Sequence, residues 1–239
     1  MLDRLIKLLF MKRDAFDRMI KRVSRAAACS ICVLLATGAI GGDQPCAPFE
    51  GGRVDSEMLA AMRAAAAEGR MYRVDTDVSK VGFCVRHFPF QEFRGEFTNI
   101  IGGLAFPPEP ASYGQALLLI RTSSLQSDNT ALVPIVTGSN FMDTANYPEI
   151  LYVGRRFEWL TEVHAHIYGD LSVRGRTHPV IFDVDIDVPD DTNGEPPERI
   201  RLRGRSHVSR FNFDIRSYRL VVSDTIQLCL AAELVRWGF

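Results

Sequence analysis

Hydrophobic and polar residues alternate along much of the chain, and the pattern is clearest between positions 180 and 188. Every second residue there is apolar and aspartates fill three of the gaps: Val180, Phe182, Val184, Ile186 and Val188, with Asp183, Asp185 and Asp187. A period of two places the two sets on opposite faces of a β-strand. One face is therefore predicted to meet an apolar interior and the other to meet water.

The next segment repeats the alternation with the opposite charge. Arginines stand at 199, 201, 203 and 205, between Ile200, Leu202 and Gly204. The intervening residues 189–198 are rich in turn formers, including Asn193-Gly194, which predicts an antiparallel hairpin with the acidic face beside the basic one. Cross-strand charge pairs are worth only about 0.2–1 kcal/mol each, so their main expected role is to fix the register.

Eleven segments carry a strand pattern. They are 71–77, 80–88, 92–97, 101–106, 115–123, 150–159, 161–174, 178–188, 199–208, 211–218 and 225–234. Residues 129–143 lack alternation and are predicted to form one or two helical turns. Nearly all connections are too short for a crossover helix, which favours antiparallel pairing. So many strands have to close into a barrel or stack as a sandwich to hide their edges.

Polar residues at alternate positions identify the outward faces. Outward Lys80, Gly82, Cys84 and Arg86 leave Val81, Phe83, Val85 and His87 inside. Arg121 leaves Leu118, Ile120 and Thr122 inside. Outward Glu162, His164, His166, Tyr168 and Asp170 leave Val163, Ala165, Ile167, Gly169 and Leu171 inside. The predicted inner surface is long and overwhelmingly apolar.

Length and charge suit one sizeable domain with appendages. The chain has 239 residues and a formal net charge of −1, with no electrostatic bias toward nucleic acid. The local basic face at 199–205 is interpreted as half of the charge ladder, neutralised by the aspartate strand. No nucleic-acid partner is expected.

The N-terminal residues 1–42 read as a secretory signal. A basic stretch at 1–25 precedes a short apolar run at 26–40 and a group of small residues. The mature chain is expected to begin near Asp43, in the periplasm or outside the cell, and Met11 or Met19 remains an alternative start. The other interpretation is an uncleaved inner-membrane anchor, although the run is shorter than the roughly 20 residues of a spanning helix.

Residues 43–70 are predicted to be a linker and a short helix before the main domain at 71–239. Ser56 is the expected N-cap, and the alanine-rich residues 57–68 end at Gly69. The apolar face of this helix is small, so loose packing on the domain is expected. Cys29 and Cys32 fall inside the signal; one bridge is permitted among Cys46, Cys84 and Cys229, with the pairing left open.

Several short motifs follow one another in order from Tyr72 to Leu234, and the most specific is the segment 169–175 with 177–180. The other motifs are Tyr72-Arg73-Val74-Asp75, Val81-Gly82-Phe83, Gly95-Glu96-Phe97, Gly103-Leu104-Ala105-Phe106, Ser124-Leu125-Gln126-Ser127, Asn140-Phe141-Met142-Asp143, Tyr147-Pro148-Glu149 and Ser209-Arg210-Phe211-Asn212-Phe213. In this order they resemble the motifs of the YceI-like family of lipid-binding proteins, and 169–175 with 177–180 is similar to the signature turn of the family. One position and one segment depart from the family pattern: Val78 replaces a common histidine, and residues 131–136 replace a charged segment.

The resemblance implies an all-β fold, a lipocalin-like extended antiparallel barrel with short helical insertions. It also implies an interior that holds a long isoprenoid chain of quinone or prenyl phosphate type. The residues then expected to contact the ligand are Phe83, Val85, His87, Phe106, Leu118, Ile120, Phe141, Ile167, Leu171, Phe182, Phe211 and Phe213. Glycines 95, 103, 169 and 204 are expected to leave space for it, whereas the alternation alone fits a filled core equally well.

Two polar residues near this interior each have two possible roles. His87 is either a hydrogen-bonded structural histidine or a headgroup contact. Arg210 either binds an anionic headgroup through its guanidinium or holds a strand corner.

Metal and catalytic sites are not predicted. His164 and His166 share one strand face, but the sequence shows no third ligand of suitable geometry. No phosphate loop, nucleophile elbow or carboxylate pair is evident, so no enzyme and no cofactor beyond the lipid are expected. The alternatives are an enzyme acting on such a lipid, or a filled-barrel structural or stress-response protein. A membrane, a membrane-bound redox partner and a homo-oligomer stay open as partners.

Overall fold

A computed structural model describes residues 54–89, 91–106, 114–188 and 196–237. The predicted signal at 1–42, most of the linker with Cys46, and the Asn193-Gly194 turn lie outside the described residues. Neither described α-helix is long and apolar enough to cross a membrane.

Eleven strands and two α-helices make up the described chain. The strands are β1 Met71–Val74, β2 Lys80–His87, β3 Gln91–Phe97, β4 Ile100–Ala105, β5 Gln115–Arg121, β6 Leu125–Gln126, β7 Glu149–Trp159, β8 His164–Val173, β9 Arg176–Asp187, β10 Arg199–Ser209 and β11 Val222–Trp237. The helices are α1 Ser56–Ala67 and α2 Val133–Thr137. Two 3-10 turns cover Thr122–Ser124 and Arg210–Phe213.

Eight of these strands form a closed antiparallel barrel in the order β1-β4-β5-β7-β8-β9-β10-β11, with β11 returning to β1. The strand β11 has 16 residues, and its two halves have different partners on one edge. Its N-terminal half pairs with β2, and its last residues pair with β1. β3 and β6 extend the sheet from β2. The predicted lipocalin-like all-β fold with short helical insertions is therefore confirmed.

The charge ladder has the predicted partners. Asp187, Asp185 and Asp183 on β9 lie opposite Arg201, Arg203 and Arg205 on β10. Arg201 Nη1 lies 3.8 Å from Asp187 Oδ2, and both side chains are largely exposed. The apolar residues between the charges point the other way and are buried, among them Val184, Ile186 and Leu202.

Helix α1 differs from the prediction in its cap and in its packing. Asp55, not Ser56, is the N-cap, because its side chain accepts a hydrogen bond of 2.6 Å from Met58 N. This backbone hydrogen bond lowers the pKa of Asp55. Met58 and Met62 are almost fully buried and the helix packs on β1 and β4, so the expected loose packing is wrong.

The predicted strand at 211–218 is also wrong. The chain leaves β10 in the 3-10 turn Arg210–Phe213, and Asp214 adopts a left-handed conformation with φ 59°. Asp224 holds this turn by accepting hydrogen bonds from Ser209 Oγ and from Phe211 N. The short alternation at 211–218 therefore does not form a strand, because hydrogen bonds of the Asp224 side chain fix a turn there.

The predicted inward position of Val163 is wrong as well. β8 begins one residue later, at His164, and Val163 lies in the preceding turn with 50% of its surface exposed.

Two cysteines on the outer face of the barrel are free thiols. Cys84 lies opposite Gln227 and Cys229 lies opposite Gly82, which makes the two thiols diagonal neighbours on β2 and β11. Burial raises the pKa of the Cys84 thiol. Cys46 lies outside the described residues, so the predicted choice of a bridge stays a prediction.

Charge reversal tests the register of the ladder. Asp187→Arg is expected to destabilise the protein by about 0.2–1 kcal/mol, because it sets like charges opposite each other. Adding Arg201→Asp restores the pair and is expected to recover part of that loss in urea unfolding. The matched control adds Arg203→Asp instead, which lies opposite Asp185. Equal recovery by both second substitutions would contradict the register.

Candidate functional site

The barrel encloses a cavity with an apolar wall. The empty space between its walls, open mouth included, is about 1440 Å³, and about 160 Å³ of it is available to the centre of a water molecule. Strands from every side of the barrel contribute the residues of their inner face. The alternation read from the sequence therefore produces a lined cavity as well as a core.

Nine of the twelve predicted ligand residues lie in this wall. They are Phe83, Val85, Leu118, Ile120, Phe141, Ile167, Leu171, Phe182 and Phe213. The structure places these nine residues around one cavity, whereas their contact with a ligand stays a prediction.

The other three predicted residues lie outside the cavity wall. Phe106 packs edge-on against Tyr72 and Phe157, with ring centroids 5.8 and 5.9 Å apart. Phe211 lies beneath the Arg210 guanidinium at 4.9 Å, because its segment is a turn and not a strand. His87 ends β2, and its Nδ1 lies 3.2 Å from the carbonyl oxygen of Phe88. This hydrogen bond matches the structural role considered for His87.

Many wall residues were not among those predicted. They include Val74, Val81, Phe97, Leu104, Ala116, Met142, Ile150, Tyr152, Val184, Leu202, Ile215, Leu228, Leu230 and Leu234. Most occupy inward positions of strands already recognised by their alternation, so the same signal could have found them. Met142 and Ile215 lie in loops and carry no such signal.

The glycines expected to leave space for a ligand lie close to neighbouring atoms, as at Gly103, where an added Cβ would lie 2.3 Å from the Tyr72 carbonyl oxygen. A Cβ added at Gly95 would lie 2.6 Å from Phe83 Cε1, and one added at Gly169 would lie 2.7 Å from the Tyr152 hydroxyl. Aromatic rings already occupy the space beside both glycines. At Gly204 the nearest side-chain atoms would lie at 3.4 Å, an ordinary contact distance. These four glycines therefore allow close packing of the wall more than they open a tunnel.

Tyr152 contributes the hydroxyl group in the wall. The hydroxyl donates a hydrogen bond of 2.9 Å to the carbonyl oxygen of Ile167 and is buried. Burial raises the pKa of Tyr152 well above its usual value, so the phenol is neutral at physiological pH. Its donor is already used, which leaves the cavity with little capacity for catalysis at this position.

Arg210 contributes a cation at the edge of the wall, yet its guanidinium is used internally. The side chain is 1% exposed and donates to four carbonyl oxygens. Nε donates to Ser223, Nη1 donates to Ile215 and Ser217, and Nη2 donates to Val222, at 2.7–3.0 Å. Burial lowers the pKa of Arg210. Of the two roles considered, the geometry favours the corner.

Four exposed apolar residues form a rim beside the cavity, here called the apolar rim: Phe88, Tyr218, Leu220 and Val221. Leu220 is 93% exposed and Phe88 is 71% exposed. Phe88 N donates a hydrogen bond of 2.7 Å to the Val221 carbonyl, which joins the two segments. Tyr218 stacks on the cavity residue Phe141 with ring centroids 5.7 Å apart. The rim is therefore continuous with the cavity wall.

One family model, that of the YceI-like domain, matches residues 72–234, the part of the chain that carries the motifs and the barrel. The chain belongs to the YceI-like family. The match covers the barrel except Met71 at the start of β1 and residues 235–237 at the end of β11, and it leaves out α1 and the N-terminal residues.

Individual relatives are distant. A UPF0312 protein of Pseudomonas putida strain GB-1 is 30% identical over 131 residues, which is 52% of this chain and 65% of the relative. The chain thus spans just under two thirds of the length of that relative. Protein YceI of Escherichia coli is 24% identical over 184 residues, covering 76% of this chain and 93% of the relative.

Solved structures share the fold. BcnA of Burkholderia cenocepacia superposes with a TM-score of 0.58 at 19% identity, covering 67% of this chain and 98% of that structure. A polyisoprenoid binding domain from Saccharophagus degradans superposes with a TM-score of 0.53 at 13% identity, covering 69% and 98%. At these identities the comparison concerns the fold.

Substitution of Arg210 tests its role at the corner. Arg210→Lys is expected to lower the free energy of unfolding, because one ammonium group cannot reach all four carbonyl oxygens and each buried one left unpaired costs about 1–3 kcal/mol. Urea unfolding gives the value, and exposed Arg216→Lys is the matched control, expected within about 0.5 kcal/mol of the parent. An unchanged stability of Arg210→Lys would contradict the structural role.

Proposed function

We propose that the protein is a secreted or periplasmic carrier that holds the apolar chain of a polyisoprenoid lipid inside the barrel. The observation that carries this proposal is the apolar character of the cavity wall. Among the described residues of the wall, only Arg210 and the neutral Tyr152 have ionisable side chains. Water can form few hydrogen bonds with such a wall. A hydrocarbon chain that binds there is removed from water, which is favourable.

The energetics favour a long apolar ligand. Each buried methylene contributes about 0.8 kcal/mol, so one five-carbon prenyl unit contributes roughly 3–4 kcal/mol before ordering costs. A few units therefore suffice for tight binding. The apolar tail of the lipid needs no hydrogen bond from the protein. This agrees with a wall whose polar groups are already hydrogen-bonded to the backbone.

The comparison supports the same ligand class. The Saccharophagus domain that shares this fold is a polyisoprenoid binding domain, and its likeness here extends over nearly its whole length. A quinone or a prenyl phosphate has the required apolar tail with a polar head. The tail belongs in the cavity, and the head belongs at the mouth near the apolar rim.

Binding is favoured over catalysis at this site. An enzyme acting on the lipid requires a general acid, a base or a nucleophile near the reacting atom. In the described wall, the Tyr152 hydroxyl and four N–H groups of Arg210 are occupied by backbone carbonyls. Neither side chain offers the acid–base pair that such a reaction needs.

The apolar rim extends the proposal to the route of the lipid. Leu220 and Phe88 are exposed beside the cavity, the exposed Arg219 lies between Tyr218 and Leu220, and the exposed Arg216 lies two residues before Tyr218. Arg216 pairs with Asp214, whereas no ion pair of Arg219 is found within the described ranges. Apolar tips beside basic side chains suit an anionic membrane surface. The mouth is therefore proposed to dock on a membrane to load or release its lipid.

Blocking the cavity tests the carrier role. Leu171→Trp is expected to retain a parent-like circular dichroism spectrum and to lose bound prenyl lipid, measured by mass spectrometry of extracts from protein purified from its own host. The matched control is Ile181→Trp, because Ile181 is 49% exposed on the outer face of the adjacent strand. The control is expected to keep its lipid.

A filled barrel predicts the opposite result. Tryptophan at Leu171 would then overpack the core and loosen the fold, at a cost of about 1–3 kcal/mol or more. Parent protein that carries no isoprenoid after purification or reconstitution would leave the fold intact and remove the proposed function.

Removing the rim tests membrane docking. The double variant Phe88→Ser, Leu220→Ser is expected to bind phosphatidylglycerol vesicles more weakly by a factor of about 100 or more in co-sedimentation, because each of the two apolar side chains that inserts contributes roughly 1.5–3 kcal/mol. Val78→Ser is the control, since Val78 is 57% exposed beyond the opposite end of β2. Equal vesicle binding by parent, control and double variant would contradict docking through the rim.

A further inference from the structure

A cluster of two imidazoles and a carboxylate lies on the outer face of the barrel, away from the cavity. His164 and His166 stand two residues apart on β8 and share its outward face. The register of the β8–β9 hairpin sets Asp183 opposite His166 and Asp185 opposite His164. Strand pairing thus supplies the third side chain that the His-x-His motif lacks in the sequence.

The three potential ligand atoms converge. His164 Nε2 lies 3.7 Å from Asp183 Oδ1, and His166 Nε2 lies 3.8 Å from Asp183 Oδ2. All three atoms lie within 4.8 Å of one another. Ligand atoms around a tetrahedral zinc ion with bonds of about 2.0–2.1 Å are roughly 3.3–3.4 Å apart. Small rotations of half-exposed side chains are enough to close that difference.

A second carboxylate already orients one of the imidazoles. His164 Nδ1 lies 2.8 Å from Asp185 Oδ1, a hydrogen-bond distance. An imidazole that donates Nδ1–H to a carboxylate presents the lone pair of Nε2 to a metal, and this arrangement recurs around zinc-bound histidines. Here Nε2 is the atom that faces Asp183.

Both carboxylates and arginines surround the cluster, and Arg203 lies opposite Asp185. Glu158 lies opposite His166 on the other neighbouring strand, where its carboxylate accepts a hydrogen bond from Tyr168. Arg205 lies opposite Asp183, but in the described part of the chain no ion pair joins the two. The Asp183 carboxylate faces the two imidazoles instead.

We propose that His164, His166 and Asp183 form a surface binding site for a divalent transition metal of the zinc class, with Asp185 as a positioning residue. Two imidazole nitrogens and one carboxylate oxygen favour zinc and its neighbours, whereas Mg²⁺ and Ca²⁺ prefer oxygen ligands alone. The bound ion would join β8 to β9 across the hairpin and keep an open position for water. This site does not depend on the proposed lipid function.

Calorimetric titration of the full-length protein with ZnCl₂ tests the site. The double variant His164→Gln, His166→Gln is expected to bind one Zn²⁺ fewer than the parent, and Asp183→Asn is expected to weaken that site about tenfold or more. Asp185→Asn is expected to weaken it about 10- to 100-fold, the usual effect of removing a carboxylate that orients a ligating histidine. Zn²⁺ is expected to raise the thermal midpoint of the parent, and an equal concentration of Mg²⁺ is expected to leave it unchanged.

Two comparisons make the outcome decisive. His207→Gln removes an exposed histidine of β10 outside the cluster and is expected to bind like the parent. The free thiols Cys84 and Cys229 are present in every variant, so zinc bound by thiols does not alter the difference. Equal Zn²⁺ binding by the parent and the double histidine variant, or no binding by either, overturns the proposal.

Discussion

Closure of the barrel depends on the backbone pairing of one long strand. β11 pairs along its length with β10 on one edge and divides its other edge between β2 and β1. Without this double pairing, β1 and β2 would both be open strand edges. The same arrangement brings the β2–β3 hairpin over the interior, so that Phe83 and Phe97 join a cavity whose other walls come from the eight barrel strands.

The period of two gives each strand two independent surfaces. On the β8–β9 hairpin, the pair Ile167 and Phe182 faces the cavity. The adjacent pair, His166 and Asp183, faces the solvent from the opposite side of the same two strands. An apolar interior constrains only half of the positions, and the outer half is free to carry charge pairs or ligands. The β8–β9 hairpin therefore contributes to the cavity and to the histidine cluster with different side chains.

Sequence reasoning was reliable where alternation is long. It predicted the partners of the charge ladder and most of the inner face, because a one-residue slip would expose every apolar side chain. It failed where side chains bend the backbone, as at Phe211, whose turn is held by Asp224, and at the Asp55 cap. Asp183, the third ligand proposed for the metal site, was missed: Arg174-Gly175 form a two-residue turn that fixes the hairpin register, but the positive φ of both residues is seen in the structure and not in the sequence.

The hydrogen bonds of Arg210 limit how the apolar rim can move. The four carbonyl oxygens that it binds belong to residues 215–223, the segment that also carries Tyr218, Leu220 and Val221. One buried cation thus fastens both ends of the segment 215–223 to the barrel. Because its hydrogen bonds share a single guanidinium, this loop is expected to detach as a unit and not to fray residue by residue. In the proposed carrier, movement of the apolar rim would then be all-or-none.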